Sequence, residues 1–387
     1  MEKRINWLIT SVVVIYPILI IAAVVWYGAV YGIGMFEIMT SVIVYYICNI
    51  SVGLGFHRLW SHASYKAHPV LEFVLMLTSS ITLQGPALAW VSDHKFHHAY
   101  ADKELDPHTP VKYKNKIKGL LWAHVGWLVY GSLHQRIDRA TMKRLGKKKM
   151  LMWQYKYYWQ LAVFLNFVLP PVLGYALGGT WGSAGVFYLF FALGRALQQQ
   201  LTFGVNSLCH FRGRKLYADD SSVDVWWLAP LLLGENWHNF HHAFEKDYRN
   251  GHQWYHMDVH KWLIYMLSKC GLARDLVKTP ELRIEAVKKE LVFVSGSRWQ
   301  EMERIAASLL ERARGSIALL EKNVGEFTQS KLDQLRVIEK RSVALLDKVK
   351  ELRLGGSIGD RLQEKFKKKL EGLELSLDDH IIGIPEL

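Results

Sequence analysis

The sequence predicts an all-α integral membrane protein: four transmembrane helices in two hairpins under a cytoplasmic helical cap rich in histidine, plus a C-terminal helical appendage. Three observations predict it. Half of the 387 residues are hydrophobic although the C-terminal quarter is dense in Lys, Glu and Arg, so the upstream chain must be strongly apolar. Long runs without any charge occur near the N-terminus and again after residue 156. The 17 histidines are clustered rather than scattered. This composition excludes a disordered chain and an ordinary soluble enzyme. Three cysteines, Cys48, Cys209 and Cys270, are too few and too odd in number for a disulfide scaffold.

From Trp7 to Tyr27 no residue is charged, and these 21 residues suffice to cross roughly 30 Å of hydrocarbon at about 1.5 Å each. The run is too long for the core of a signal peptide, and a second apolar stretch, 32–56, follows at once with Glu37 as its one acidic residue. Residues 157–194 carry no charge, and Pro170-Pro171 and Gly178-Gly179 divide this region into spans at 157–177 and 182–206 that turn around Gly174 to Gly182. The links Gly28 to Tyr31 and Gly174 to Gly182 have no Lys or Arg, whereas Lys103 to Lys149 has twelve basic residues against three acidic. By the positive-inside rule both termini and the central loop are cytoplasmic. The net charge of +13 is then explained by anionic headgroups, without nucleic acid.

Arg195 is the one charge in the fourth span. It is expected at the cytoplasmic interface, its side chain snorkelling to the headgroups. The segment 69–90 is long enough to cross, but crossing would put flanking histidines on opposite sides; Glu72, Gln84 and the Gly85-Pro86 break suit an interfacial segment. Val225 to Leu233 is too short to span. The membrane core is expected to cover 1–278. In 279–387 apolar residues recur at helical spacing (Leu345, Val349, Leu352; Leu362, Phe366, Leu370, Leu373) on either side of Gly355-Gly356-Ser357, which reads as a cytoplasmic helical hairpin or bundle of unknown role.

Three histidine clusters carry the chemistry: His57 with His62; His94, His97 and His98; His238, His241 and His242. A fourth element is Asn206 with His210. Helical residues three and four apart share a face, so the second and third clusters and the Asn206–His210 pair can each point one way. His57 and His62, five apart, lie about 140° from each other on an ideal α-helix, so their cluster should sit at a helix end. Nine imidazoles exceed what one metal takes, so two metals are inferred; nitrogen ligands alone leave Fe, Zn, Cu and Ni open. His68, His124, His134, His252, His256, His260 and His380 lack such spacing and read as ordinary structural residues, while His108 in Asp106-Pro107-His108 is open.

The runs Gly55-Phe56-His57-Arg58-Leu59-Trp60-Ser61-His62 and Glu235-Asn236-Trp237-His238-Asn239-Phe240-His241-His242, with their placement relative to four spans, resemble the membrane fatty acyl desaturases, stearoyl-CoA (delta-9) branch. The likeness runs from about Trp7 to Cys270. It implies that the nine histidines hold two irons, that Asn206 reaches the metals through a water, and that Gln84, Trp90 and Thr202 line a bent acyl tunnel. It also implies O2-dependent formation of a cis double bond at delta-9 in a long saturated acyl chain, with acyl-CoA favoured as substrate. Asp93, Asp102, Asp106 and Glu235 are candidates to orient the imidazole rings. Two departures, Ser92 before Asp93 where the branch has Arg and Gly85 where it has Asn, keep a phospholipid-bound chain open as the alternative. Lys112, Lys114, Lys116 and Lys118 suit CoA phosphates or lipid headgroups equally. A related di-iron hydroxylase is a further alternative. The chain has no dinucleotide fingerprint, Cys-rich iron–sulfur motif or haem domain, so electrons are expected from separate proteins, a reductase with a ferredoxin-like or haem carrier.

Overall fold

The structure, a computed structural model, describes residues 5–131, 137–322, 326–354 and 360–381. His134 and the Gly355-Gly356-Ser357 separator lie outside the described residues. The chain forms two compact units, 1–280 and 281–387.

In the first unit, α1 (Trp7–Tyr31) and α2 (Met35–Ser61) follow one another across a short link and both pack on α6 (Trp181–Leu208), which forms a hairpin with α5 (Tyr158–Gly178). The first link is Gly32 to Gly34 rather than Gly28 to Tyr31: without a polar residue to stop it, α1 runs on to Gly32, whose φ of +76° ends it. The second link is similarly short, at Gly179 with φ +69°. Pro170-Pro171 does not break α5, because a π-helical turn at Phe164–Val168 precedes it and accommodates the missing N–H groups. By length and composition α1, α2 and α5 can cross a membrane. The fourth predicted span, α6, has 28 residues but is less apolar, since it carries Arg195 and Gln198 to Gln200. Arg195 does not snorkel. It is 1% exposed, its guanidinium 4.7 Å from the Tyr16 ring centroid and 3.4 Å from Gln199 Oε1, so a cation–π contact and an amide replace the headgroups.

α2 and α6 pack closely. A methyl group on Gly194 would lie 2.2 Å from Ser41 O, and Ser41 Oγ donates to Phe190 O at 2.9 Å. The segment expected at the interface becomes two helices, α3 (Pro69–Ile81) and α4 (Ala87–Ala99), broken at Leu83 to Pro86 where Leu83 and Gly85 have positive φ. α4 continues past Trp90 to carry the second histidine cluster. Two later helices, α7 (His238–Ala243) and α8 (Val259–Lys269), and a two-stranded ribbon pairing Lys66–Ala67 with Ala273–Arg274 complete the framework of the site.

Among the described residues the second unit has three helices, α9 (Glu281–Lys322), α10 (Glu326–Leu354) and α11 (Asp360–Ile381). Trp299, Leu309, Leu335, Val349, Phe366, Leu370 and Leu373 share one apolar core, with Leu345 and Leu352 packed on its edge.

Candidate metal centre

The second half of α2, Ser51–Ser61, is π-helical, and this settles the awkward spacing of the first cluster. In a π-helix the N–H of one residue bonds the carbonyl five before it, so residues five apart stack. His62, the C-cap, donates its N–H to His57 O at 3.2 Å, and the two rings come within 4.9 Å. The cluster therefore sits at a helix end and also shares a face, which an ideal α-helix would not allow. The His94 and His238 clusters lie on the inner faces of α4 and α7, and His210 lies two residues past the end of α6.

All nine clustered histidines meet, in two adjoining groups. One holds His57, His62, His94, His98 and His241; the other His97, His210, His238 and His242. Within each group the Nε2 atoms face one another: His57 to His241 2.9 Å, His62 to His94 2.7 Å, His98 to His241 3.0 Å, His210 to His238 3.0 Å and His97 to His242 3.2 Å. Burial, with mutual repulsion, pushes the imidazoles of His62, His94, His97, His98, His210, His238 and His241 well below their ordinary pKa. Neutral imidazoles whose Nδ1–H is turned outward present bare lone pairs inward. Lone pairs at these distances repel unless a cation lies between them, and ligands about 2.1 Å from a shared ion at right angles are about 3.0 Å apart. The residues fit a pair of metal ions.

Four of the outward Nδ1 atoms meet acceptors that fix their rings. His57 lies 2.6 Å from Glu235 Oε2, His97 3.0 Å from Asp106 Oδ1, His242 2.7 Å from Asp220 Oδ2 and His210 2.8 Å from Ser221 Oγ. Glu245 stands 3.7 and 3.8 Å from His62 and His98. Glu235 also accepts from Arg58 (3.1 Å), Asn250 (2.9 Å) and His260 (3.0 Å). Burial opposes its ionisation, but His57 and Arg58 outweigh that and hold its carboxyl well below the usual range. Asp220 likewise is pulled down by His242 against the effect of burial.

Of the four carboxylates expected to orient rings, Asp106 and Glu235 do. Asp102 instead accepts the Ser221 N–H at 2.5 Å and donates its own N–H to Asp106, while Asp93 lines the cavity described below. Asp220, Ser221 and Glu245 escaped the sequence reading, because each lies in a loop with no histidine periodicity, and His260, read there as an ordinary structural residue, bonds Glu235. His260 packs where a Cβ on Gly53 would sit 2.1 Å from its ring, so the bare glycine makes its room. His108 packs 4.2 Å from His97 beside Asp106. His124 bonds Ser207 Oγ, His256 stacks on Trp237, His252 stacks on Phe240 and His68 caps α3, all structural contacts.

Asn239, between the ligating positions of the third cluster, holds the loop that supplies Asp220 and Ser221. Its Oδ1 accepts the N–H groups of Leu216, Tyr217 and Ala218 at 2.7, 2.8 and 3.3 Å, and its Nδ2 donates to Ala218 O and Ser222 O at 2.9 and 3.0 Å.

A mostly apolar cavity of about 440 Å³ reaches the histidines from α1, α4 and α6, with His94 and Asn206 at its wall. Gln84, Trp90 and Thr202 come together on it: Trp90 Nε1 donates to Gln84 Oε1 at 3.2 Å, and Gln84 Nε2 donates to Thr202 Oγ1 at 3.4 Å. The Trp90 ring stacks between Phe56 and His94, with centroids 5.2 and 4.9 Å away. Asn206 also faces a space of about 40 Å³ beside His97 and His238, large enough for a water.

The sequence pattern of the fatty acid desaturases matches residues 37–269, more than half of the chain and all nine clustered histidines. The chain belongs to the fatty acid desaturase family. Its relatives within this desaturase family include the probable acyl-CoA desaturase of Schizosaccharomyces pombe, 32% identical over 73% of this chain and 57% of that protein. Acyl-CoA desaturase 1 of Saccharomyces cerevisiae is 33% identical over 73% of this chain and 54% of its own length. Delta-9 acyl-lipid desaturase 1 of Arabidopsis thaliana is 32% identical over 66% and 78%. The chain thus spans little more than half the length of the two yeast proteins.

A metal-stripped preparation of this desaturase family member should unfold at a markedly lower temperature, since ions filling the two groups bind the folded chain only. At about a thousand times Kd such binding adds about 4 kcal/mol, worth roughly ten degrees in a domain of this size. Differential scanning fluorimetry before and after chelation, then after adding metal back, checks it; an unchanged midpoint contradicts the metal reading.

Proposed function

We propose that the protein is an O2-dependent fatty acyl desaturase that introduces a cis double bond at delta-9 of a long saturated acyl chain, with acyl-CoA as the favoured substrate. The observation that carries the reading is the meeting of nine inward-facing imidazole nitrogens, in groups of five and four, beside a mostly apolar cavity that reaches them at His94. In this reading His57, His62, His94, His98 and His241 hold one iron, and His97, His210, His238 and His242 the other, with Asn206 acting through a water in the space beside His97 and His238. Bound iron supplies the O2-dependent oxidising power that removing hydrogen from an unactivated methylene demands and no side chain has.

The protein's own residues do the rest. The cavity aligns one pair of methylenes with the histidines and excludes water, so double-bond position follows from its depth and bend. Gln84, Trp90, Thr202 and Gln198 hold the bend through their mutual hydrogen bonds. Glu235, Asp106, Asp220 and Ser221 hold the protons of His57, His97, His242 and His210 at Nδ1 and so keep their Nε2 free. Overall, one –CH2–CH2– unit, O2, two electrons and two protons give –CH=CH– and two waters. The electrons come from separate carrier proteins.

In this reading α6 is the fourth span, with both termini and the site on the cytoplasmic side, as the basic loop 103–149 requires. Residues 279–387 form the cytoplasmic appendage. An acyl-lipid substrate is the second reading. It is favoured by Ser92, which is buried with its Oγ donating to Leu88 O and offers no guanidinium to a CoA headgroup, and by the acyl-lipid relative. Supplying stearoyl-CoA or stearoyl-phospholipid to the enzyme in nanodiscs with a reductase and carrier decides among these. The expected product has lost two mass units and carries the double bond at carbon 9; a gain of sixteen would mean hydroxylation and overturn the proposal.

A further inference from the structure

Between Asp224 and Glu235 the chain has ten residues without a charge, and they fold as a short wedge that turns back at Leu233 and Gly234, both with positive φ. Its inner residues, Val225, Leu228, Ala229 and Leu232, are buried. Its outer ones are large and apolar and face outward: Trp226 is 75% exposed, Trp227 56% and Leu231 40%. An isolated exposed tryptophan needs no explanation; two in a row with a leucine and Pro230 beside them form a patch that calls for a cover.

The wedge's position says what covers it. Tyr45 Oη and Asn49 Nδ2 donate to Leu231 O at 2.6 and 2.8 Å, and Tyr46 Oη donates to Pro230 O at 3.2 Å. These donors lie ten to fourteen residues along α2 from Met35, or about 15–21 Å from its start at the usual rise. Glu37 in the first turn sets that end of α2 at the polar boundary. In a hydrocarbon core about 30 Å thick, a segment fastened at that height is still about 10 Å or more inside the far boundary. The site lies a further two turns along, at His57 and His62.

We propose that Val225 to Leu233 is a re-entrant wedge buried in the acyl chains of the cytoplasmic leaflet. It rests on the reading that α2 crosses the bilayer, and goes beyond it. The occupant is lipid hydrocarbon: the patch has no charge for a protein carrier to pair with, and it continues the lipid-facing surface of α2, where Ile43 and Ile47 are exposed. Much of its backbone hydrogen bonding is made internally or to α2, as hydrocarbon favours. Val225 N–H bonds Asn236 O, Leu228 N–H bonds Val225 O, Leu233 N–H bonds Ala229 O, and the carbonyls of Pro230 and Leu231 accept the three side chains of α2. The wedge is flanked by Asp224, which accepts the Asn239 N–H at 2.9 Å, and Glu235, which holds His57. Leaflet insertion thereby fixes the height of the third histidine cluster above the acyl chains from which the substrate is drawn.

The test uses the full chain in phospholipid nanodiscs with Cys270 changed to Ser, since Cys48 and Cys209 are buried. Nitroxide labels on Trp226→Cys and Trp227→Cys are compared with labels on Ile43→Cys, on the lipid face of α2, and Glu301→Cys, on the charged C-terminal unit. Collision with O2 relative to a water-soluble nickel chelate should be roughly tenfold higher at the wedge than at position 301 and similar to position 43. Wedge labels that match position 301 while position 43 reads hydrocarbon overturn the wedge alone. If position 43 also reads water, α2 is outside the bilayer, and the membrane reading falls with the wedge. Labels shielded from both reagents overturn the proposal in favour of a second copy of the chain.

Discussion

Alanine at His241 is expected to abolish double-bond formation and to leave the chain with about one iron instead of two. This imidazole is the hub of the five-membered group: its Nε2 lies 2.9 Å from that of His57 and 3.0 Å from that of His98. Removing it opens the first group and leaves His97, His210, His238 and His242 intact. On the proposed reading hydrogen removal would need both ions, so activity should fall by at least about 10³-fold while metal content only halves. Elemental analysis of the purified variant, with product chromatography in a desaturase-deficient host, reads both quantities. Full product formation would sink the assignment of the site.

Glu235→Ala should destabilise the fold as well as the metal. The carboxylate is tied to His57, Arg58, His260 and Asn250, and its loss strands part of a buried guanidinium whose remaining ion-pair partner is Asp258, 3.0 Å away. Breaking a buried ion-pair network from one side costs about 3–5 kcal/mol. Loss of a ring-orienting partner weakens metal binding about 10–100-fold. Glu235→Gln separates the two effects. It keeps the volume and one acceptor oxygen, but its amide N–H2 must face a donor among His57, Arg58, His260 and Asn250. Thermal midpoints should recover in part with Gln, whereas metal affinity in a competition titration should not. Equal midpoints for wild type and Ala would contradict the network's role.

The histidine clusters were legible because metal ligands on helices recur at i, i+3 and i+4, and His94–His98 and His238–His242 obey that rule. That Gln84, Trp90 and Thr202 come together on one cavity was legible only through the resemblance, since nothing in their own spacing marks them. The pairing of His57 with His62 was half legible: the sequence placed it at a helix end, but a π-helical stretch depends on how Ser51 to Ser61 packs, which no local pattern announces. Arg195 went astray because hydropathy treats a charge in a span as seeking water, and Tyr16, far away in sequence, offers it an aromatic face instead. The supporting acceptors Asp220, Ser221 and Glu245 lie on loops shaped by tertiary contacts, so composition and periodicity are silent on them. The expected fourth span falls outside the three helices apolar enough to cross, because α6 mixes exposed apolar residues with Gln side chains that reach α1 and the turn after α3.

Asn239 carries a lesson about how such a motif is spelled. The letters between the ligands are not spacers: this amide, bonded to three successive main-chain N–H groups, acts as a keystone that shapes the loop bearing Asp220 and Ser221. Transplanting the histidines alone onto another scaffold would carry over the nitrogens but not the partners that decide which nitrogen of each ring is bare. The unit that evolution or a designer must move intact is therefore the short helix together with the loop folded around its one asparagine.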